Sequence, residues 1–564
     1  MRQIAPRDRS RPDATFALTA DTAGTADIVI IGAGHNGLVC AAYLARAGLD
    51  VIVLEQSDRP GGALWWIDWQ GHQLERGAVE HTAVLTSGIV QDLDLARHGL
   101  AYRTRSVAAI HLFGDGTRIV IEETAEATAA SVGQLSAADG RAWEELAEIA
   151  APLLRADALA SDGWIPPPQV ATGFARAVGG RRAGALIDLT RMSVAELAQR
   201  WFEHPAVRAM VMFRAAFSSL APWAPGSAAA FLLTVAGHGR RLGRPVGGSR
   251  AFVQALTASA LDAGAIVLCG VTVDALRRSG GSWRVHTTGG GSVVARRGVV
   301  SAMAPRPFLL DILRGALTPR PRRRVEHMQE VVDNVSQLTL AAAIDDDSCL
   351  PAFGRPELDA GTMWLLAEPA AVTEAYTAAL IGQLPSAPAT LVTFPSVADP
   401  AAAPPGRATM WADSFVARRL HGRPWTRARS EASDAVWRTI ESCLPGLHDH
   451  VRHEVVTTPD DLTAKNGAEN AGNHIAPIPG QLLGARPALG FGHHRTPVDG
   501  IYLTGAGTHP GGGLSGVPGR LCARAVLDDL GLGRTRVQRS AAVVRQVAGS
   551  LRAARALGTS SDAS

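Results

Sequence analysis

DIVIIGAGHNGLVCAAYLARAGLDVIVLEQ, Asp27 to Gln56, changes its hydrophobic period twice. Ile28 to Ile31 is a continuous β-branched run, the signature of a parallel strand buried on both faces. Leu38, Ala41, Ala42 and Ala45 then follow helical spacing and Gly48 ends the helix, after which Val51 to Leu54 returns to strand. At the first strand-to-helix turn Gly32, Gly34 and Gly37 form G-x-G-x-x-G. In such a turn one glycine makes the bend, one lets the backbone approach a pyrophosphate and one lets helix and strand pack. The unpaired N–H groups and positive end of the helix then face the phosphates. Glu55, closing the second strand, stands where a carboxylate accepts hydrogen bonds from a ribose. The stretch predicts a dinucleotide-binding unit, and the loop Arg59-Pro60-Gly61-Gly62-Ala63 adds a second flexible turn beside it.

The remainder of that unit lies far along the chain. Pro245 to Pro305 reads as helix, strand and a β-meander with Gly-rich turns, and Val299 to Ala302 as another buried strand. None of these elements has covering neighbours nearby in sequence. YLTGAGTHPGGGLSGVPGR, Tyr502 to Arg520, supplies a late strand (Gly500 to Thr504), a glycine loop and a helix from Ser515 to Leu530. Loop-closure entropy grows slowly with length, so this late unit can return to the first sheet and shelter the far end of the same cofactor.

Three segments, GAGHNGLVCAAYLARAGLDVIVLE, PVGGSRAFVQAL and HRTPVDGIYLTGAGTHPGGGLSGVPGR, resemble the phytoene-desaturase-related FAD oxidoreductases. The resembling subgroup holds the single-flavoprotein β-carotene ketolases and the pyridine-nucleotide-disulfide-oxidoreductase-like proteins. The likeness spans Asp27 to Leu530 and is loosest between Asp115 and Gly239. It implies an α/β fold, a glutathione-reductase-type FAD-binding Rossmann domain assembled from separated segments, with an interleaved α+β substrate domain. The expected division is a disordered tail over 1–26, an FAD-binding domain from 27–110, 240–306 and 495–533, a substrate domain from 111–239 and 307–494, and a basic C-terminal helix and tail over 534–564. The candidate FAD contacts are Gly32, Gly34, His35, Asn36, Gly37, Glu55, Gly61, Gly62, Ala63, Val273, Gly505, Ala506, Gly507, Gly512, Gly513 and Leu514. Family members act on long apolar polyenes and most lie peripherally on membranes.

Chemistry-bearing side chains are few. His509 lies inside the glycine loop and His81 just after the second cofactor loop, with Glu80 beside it. Both histidines are candidate catalytic residues in contact with flavin or substrate, and both also suit a packed or capping role. Asn470, Asn473 and His474, in a stretch that departs from the family pattern, either face the substrate or hold turns. Arg495 and Arg520 either neutralise the diphosphate or sit at the surface. His493-His494-Arg495 has no third ligand nearby and the five cysteines are scattered, so neither a metal site nor a disulfide framework is indicated.

The middle reads as helical, and Met210, Met212, Phe213 and Phe217 suit a lipid-sized channel or ordinary core. Ser336 to Ile344, Thr390 to Val397 and TMWADSF (Thr409 to Phe415) suit a sheet flooring the substrate cavity. PRPRRR at Pro319 to Arg324 reads as a solvated loop. Beyond Leu530, apolar residues on one stripe and arginines opposite suit either a helix on an anionic membrane or one packed on its own domain.

With 564 residues, 46% hydrophobic and 19% charged, the chain has a globular composition long enough for two or three domains. A net charge of +3 gives nucleic-acid binding no support. No signal peptide or transmembrane run is present, which predicts a cytoplasmic protein with the inner membrane face as a peripheral contact. Lys465 is the only lysine among many arginines, a bias of GC-rich bacterial genomes. Because no second G-x-G-x-x-G follows a strand, electrons would pass to oxygen, a quinone or a diffusing partner. The leading reading is oxidation of an apolar carotenoid or other isoprenoid polyene, by desaturation or ketolation. A flavin-dependent oxidase of a specialised metabolite or amine, and an inactive flavoprotein-like interaction protein, remain open.

Overall fold

The computed structural model describes residues 24–79, 81, 83–105, 109–153, 183–215, 220–236, 242–354, 361–470, 472, 474–478 and 480–533. Phe217, Glu80, Asn473, most of the N-terminal tail and the C-terminal basic stretch lie outside them.

Two seven-stranded sheets carry the fold. At the centre of the first, Gly24–Ile31 pairs in parallel with Val51–Leu54 on one side and with Ser292–Ser301 on the other. Its side chains alternate between two cores, as a pleated strand requires. Ile28 and Ile30 join the helices His35–Arg46 and Gly248–Asp262, while Val29 and Ile31 join the side of the meander. The strand begins at Gly24, so Gly24 to Ala26 belong to the sheet and not to the tail expected over 1–26.

The long strand Ser292–Ser301 splits its outer edge between two partners. Its first half pairs antiparallel with Ser282–Thr287, and its last three residues pair in parallel with Ile501–Leu503, Val299 against Ile501 through Ser301 against Leu503. The late strand thus closes onto a slot that the meander leaves open. The helix Val517–Asp529 returns across the sheet and packs on the first helix. Contact is close enough that a Cβ on Gly519 would stand 2.3 Å from the Asn36 carbonyl.

The second sheet runs Val451–Thr457, Val335–Ile344, Ala408–Ala417, Thr390–Thr393, Thr362–Leu366, Ala109–Phe113 and Arg118–Ile121. Ala109–Phe113 sits wholly in this sheet, which moves the expected boundary at 110 earlier. Helices between Ala125 and Ala236 pack on it in one large core. Two expectations are corrected. Thr390 to Val397 is strand only to Thr393, because Pro395 opens a helical turn. Pro319–Glu326 is a helix, started by Pro319 and Pro321 in its first turn, where proline needs no N–H partner. Among the described residues no helix is long and apolar enough to cross a membrane.

Candidate active site

A cavity of about 790 Å³ lies between the two sheets. Its first wall is at the carboxyl ends of the parallel strands, where open α/β sheets place their ligands. Fourteen of the sixteen candidate FAD contacts line it: Gly32, Gly34, His35, Asn36, Gly37, Glu55, Gly62, Ala63, Val273, Gly505, Ala506, Gly512, Gly513 and Leu514. Residues from both chain extremities and from the meander therefore face one space. Gly61 and Gly507 stand just behind. Gly61 bridges to Gly34 and donates its N–H to the Ala33 carbonyl at 3.0 Å, and Gly507 abuts Pro305, which a Cβ would meet at 2.5 Å.

The local chemistry fits a dinucleotide. At Gly34 a Cβ would meet no protein atom closer than 3.8 Å, so the space it would fill belongs to the cavity. At Gly37 a Cβ would strike the Gly32 carbonyl at 2.1 Å, so that glycine serves helix-strand packing. The helix His35–Arg46, whose first residues line the cavity, carries no acid in its first turn, leaving its positive end uncompensated for phosphate. Glu55 is 6% exposed; its carboxylate accepts from Ala33 N at 2.7 Å and Ser57 N at 2.9 Å, and its remaining lone pairs suit ribose hydroxyls. His35 faces the cavity beside Asn36 Nδ2 at 3.0 Å, and burial lowers its pKa to about 4, so it is neutral at pH 7. The helix end and backbone, with no arginine on this side, would make the anion cradle. Arg495 instead forks onto Asp529 at 2.8 and 2.9 Å, and Arg520 donates to the Ser87 carbonyl at 2.6 Å.

Neither candidate catalytic histidine lines the cavity. His81 is buried with Nδ1 2.8 Å from the Tyr102 hydroxyl and its ring edge-on to Phe252, so the structure places it behind the Ala78–Val79 wall. His509 is buried within the glycine loop. His474 does face the cavity, while its backbone N–H holds a turn on the Asn470 carbonyl at 2.8 Å. Its buried Nδ1 has no protein partner, and desolvation, reinforced by Arg486 and His35, lowers its pKa to about 4. Among the described residues there is no cluster of three or more potential metal ligands.

The opposite wall is one face of the second sheet. Gln337 and Thr339, Asp413 and Trp411, Leu391, and Trp364 alternate onto it from adjacent strands. Asp413 is 4% exposed, its Oδ2 accepts from Gln337 Nε2 at 2.8 Å, and its Oδ1 has no protein partner. Burial, only partly offset by the Gln337 bond, raises its pKa to about 8 and keeps it protonated at neutral pH. Arg214 lines the same wall, 4.9 Å over the Trp364 ring. Lys465, in the last turn of the helix Pro459–Asn466, donates to Ser57 Oγ at 3.0 Å at the cavity edge. Sequence reasoning missed Asp413, Arg214 and Lys465. Asp413 carried a signal, a lone acid inside the apolar strand TMWADSF, whereas Arg214 and Lys465 look like ordinary polar residues of helices.

Comparison with known proteins agrees with this geometry. The chain is 28% identical over 554 residues to the pyridine nucleotide-disulfide oxidoreductase domain-containing protein 2 of Rattus norvegicus, covering 89% of this chain and 94% of that protein. It is 26% identical to the phytoene dehydrogenase of Streptomyces griseus, covering 88% and 94%, and 23% identical to a limonene dehydrogenase polypeptide of Castellaniella defragrans, covering 90% and 95%. An oxidoreductase from Methanosarcina mazei, 15% identical, shares the fold with a TM-score of 0.60 over 89% of this chain and 99% of its own. The family model for flavin-containing amine oxidoreductases matches residues 37–527. With that match across most of its length and a dinucleotide cradle built from both its ends, the chain belongs to the flavin-containing amine oxidoreductase family and is an FAD-dependent oxidoreductase.

Proposed function

We propose that the chain oxidises an apolar isoprenoid or polyene, by desaturation or ketolation, with oxygen, a quinone or a diffusing protein as electron acceptor. The observation that carries this reading is the continuity of the cavity. It runs from the glycine loops to a wall of Val79, Ile121, Leu233, Leu391, Trp364 and Trp411, so an apolar body can reach the cofactor without crossing water. Two relatives are named for dehydrogenation of isoprenoid hydrocarbons, phytoene and limonene, which supports the same substrate class.

When bound, FAD supplies the two-electron oxidation. Gly34, the helix His35–Arg46 and Glu55 would hold its adenosine-diphosphate half, and Gly505, Ala506 and Gly512 to Leu514 would lie along the rest. The sheet face orients the substrate and the packed walls exclude water, while protonated Asp413 can donate a hydrogen bond from Oδ1 to an oxygen of the substrate. Asp413 also sustains a second reading, oxidation of an amine, since a neutral amine entering beside the tryptophans can take the carboxyl's proton and leave a carboxylate–ammonium pair. His509 and His81 act at most through their neighbours.

The test mixes FAD-loaded protein anaerobically with phytoene, with lycopene and with putrescine, following loss of flavin absorbance and the product by mass spectrometry. Bleaching by a polyene, with loss of two hydrogens in the product, is expected. Bleaching by putrescine alone would transfer the case to the amine reading. No bleaching by any of them would favour an inactive flavoprotein-like interaction protein.

A further inference from the structure

Arg214 and Lys465 are cations lining the cavity that the proposed reaction leaves unused, and of the two Lys465 is already hydrogen-bonded to Ser57. Arg214 projects from the helix Pro205–Ala215 onto the sheet, its guanidinium stacked on Trp364 and its Nη1 3.4 Å from His111 Nε2. It is half-buried and lines the cavity, and its Nε is buried with no partner. His111 is itself 0% exposed, and desolvation together with the neighbouring guanidinium lowers its pKa well below the ordinary value, so it is a neutral acceptor and not a counter-ion. Among the described residues no Asp or Glu forms an ion pair with Arg214, including Glu122 and Glu123, which line the same cavity.

A half-buried guanidinium without a counter-ion leaves charge pairing unmade in the ligand-free state, which an anion entering the cavity can supply. Desolvation lowers the pKa of Arg214 only to about 10, so the charge persists at neutral pH. The glycine turns that would hold the diphosphate of FAD lie on the other sheet, and the second sheet's strand Val335–Ile344 adjoins that side through the loop after His72–Glu75, where Thr339 Oγ1 donates to the Arg76 carbonyl at 2.9 Å. Four strand steps separate Val335–Ile344 from Ala109–Phe113, where His111 and Arg214 lie, which is about 19 Å at the usual strand spacing.

We propose that the substrate is an amphiphile whose apolar body lies along the tryptophan and leucine wall and whose carboxylate seats on Arg214. The planar fork of arginine matches a carboxylate's two oxygens, and a single guanidinium stacked on Trp364 suits a monoanion better than a phosphate dianion. The inference rests on the cavity being the site of an apolar substrate, as proposed above.

The test uses two probes with one polyene body, all-trans-retinoate and all-trans-retinol, titrated against FAD-loaded wild-type protein, Arg214→Met and Arg214→Lys by perturbation of the flavin spectrum. Retinoate is expected to bind wild type at least about tenfold tighter than retinol, the usual scale of a charge-assisted hydrogen bond. Arg214→Met should erase that preference while keeping FAD content and retinol affinity, and Arg214→Lys should retain part of it. Equal affinities in the wild type, or a retinoate preference that survives in Arg214→Met, would overturn the carboxylate seat and leave the apolar-substrate reading standing. If neither retinoid binds protein that holds FAD, the apolar-substrate reading falls and the carboxylate seat falls with it.

Discussion

Gly34 and Gly37 are three residues apart and do different work. Gly34 faces open cavity, so Gly34→Ala should fold and melt as wild type without cofactor, yet hold FAD at least about tenfold more weakly because the methyl occupies the approach to the diphosphate. Gly37→Ala should instead lose the folded protein, since its methyl meets the Gly32 carbonyl at 2.1 Å. Melting curves of apoprotein and an FAD titration of each variant separate the two roles; equal effects of both changes on folding would refute the assignment. Asp413 gives a pH-dependent prediction. Its carboxyl keeps its proton to about pH 8 when folded and releases it near 3.8 when unfolded. Unfolded chains therefore release protons that folded ones keep, and this group's contribution to stability is full below 3.8 and is lost as pH rises toward 8. Asp413→Asn removes the loss, so its stability relative to wild type should rise between about pH 5 and about pH 8, by on the order of 1 kcal/mol or more. A gap that stays level with pH, read by denaturant titration, would show that the carboxyl is not held neutral. At this scale the glycine pattern was legible because backbone geometry admits few residues there. Arg214 and Lys465 were not, because what marks them is the cavity they face, and periodicity shows only the helix they sit on.

Helix against helix, the molecule joins its two extremities. His35–Arg46 and Val517–Asp529 pack closely, with Gly519 N donating to Asn36 Oδ1 at 3.3 Å and no room for a side chain at Gly519. Gly519→Ala should push the late helix off the first, costing about 1–3 kcal/mol as overpacking does and weakening FAD binding by displacing Asn36 and the start of the first helix. Unchanged melting and FAD affinity would mean that this contact does not set the site. Strands and helices here were readable where period and burial agree, as in Ile28 to Ile31 and in the early helix with its buried Leu38, Ala41, Ala42 and Ala45. They were misread where a local signal has two meanings. Prolines and arginines at Pro319 to Arg324 resemble a solvated loop, yet proline in a first turn also starts a helix.

For the whole molecule, two sheets face each other across one cavity, one bringing the glycine loops and the other a tryptophan-bearing face with a neutral acid and an unpaired guanidinium. The first wall was foreseeable, because nucleotide-binding turns carry their own signature. The second was foreseeable only as apolar strand, since which of its side chains share a face depends on register across five strands distant in sequence. His81 shows the converse: adjacency to a cofactor loop suggested contact, but the chain turns and Tyr102 and Phe252 enclose the ring. The central claim is that both ends of the chain grip one FAD in this cavity. A crystal structure of the protein reconstituted with FAD tests it most directly. The diphosphate is expected at the N-terminus of His35–Arg46 beside Gly34, with the ring system passing Gly512 to Leu514 toward Asp413 and Trp411. FAD bound at any other place, or touching the residues of only one end of the chain, would contradict it.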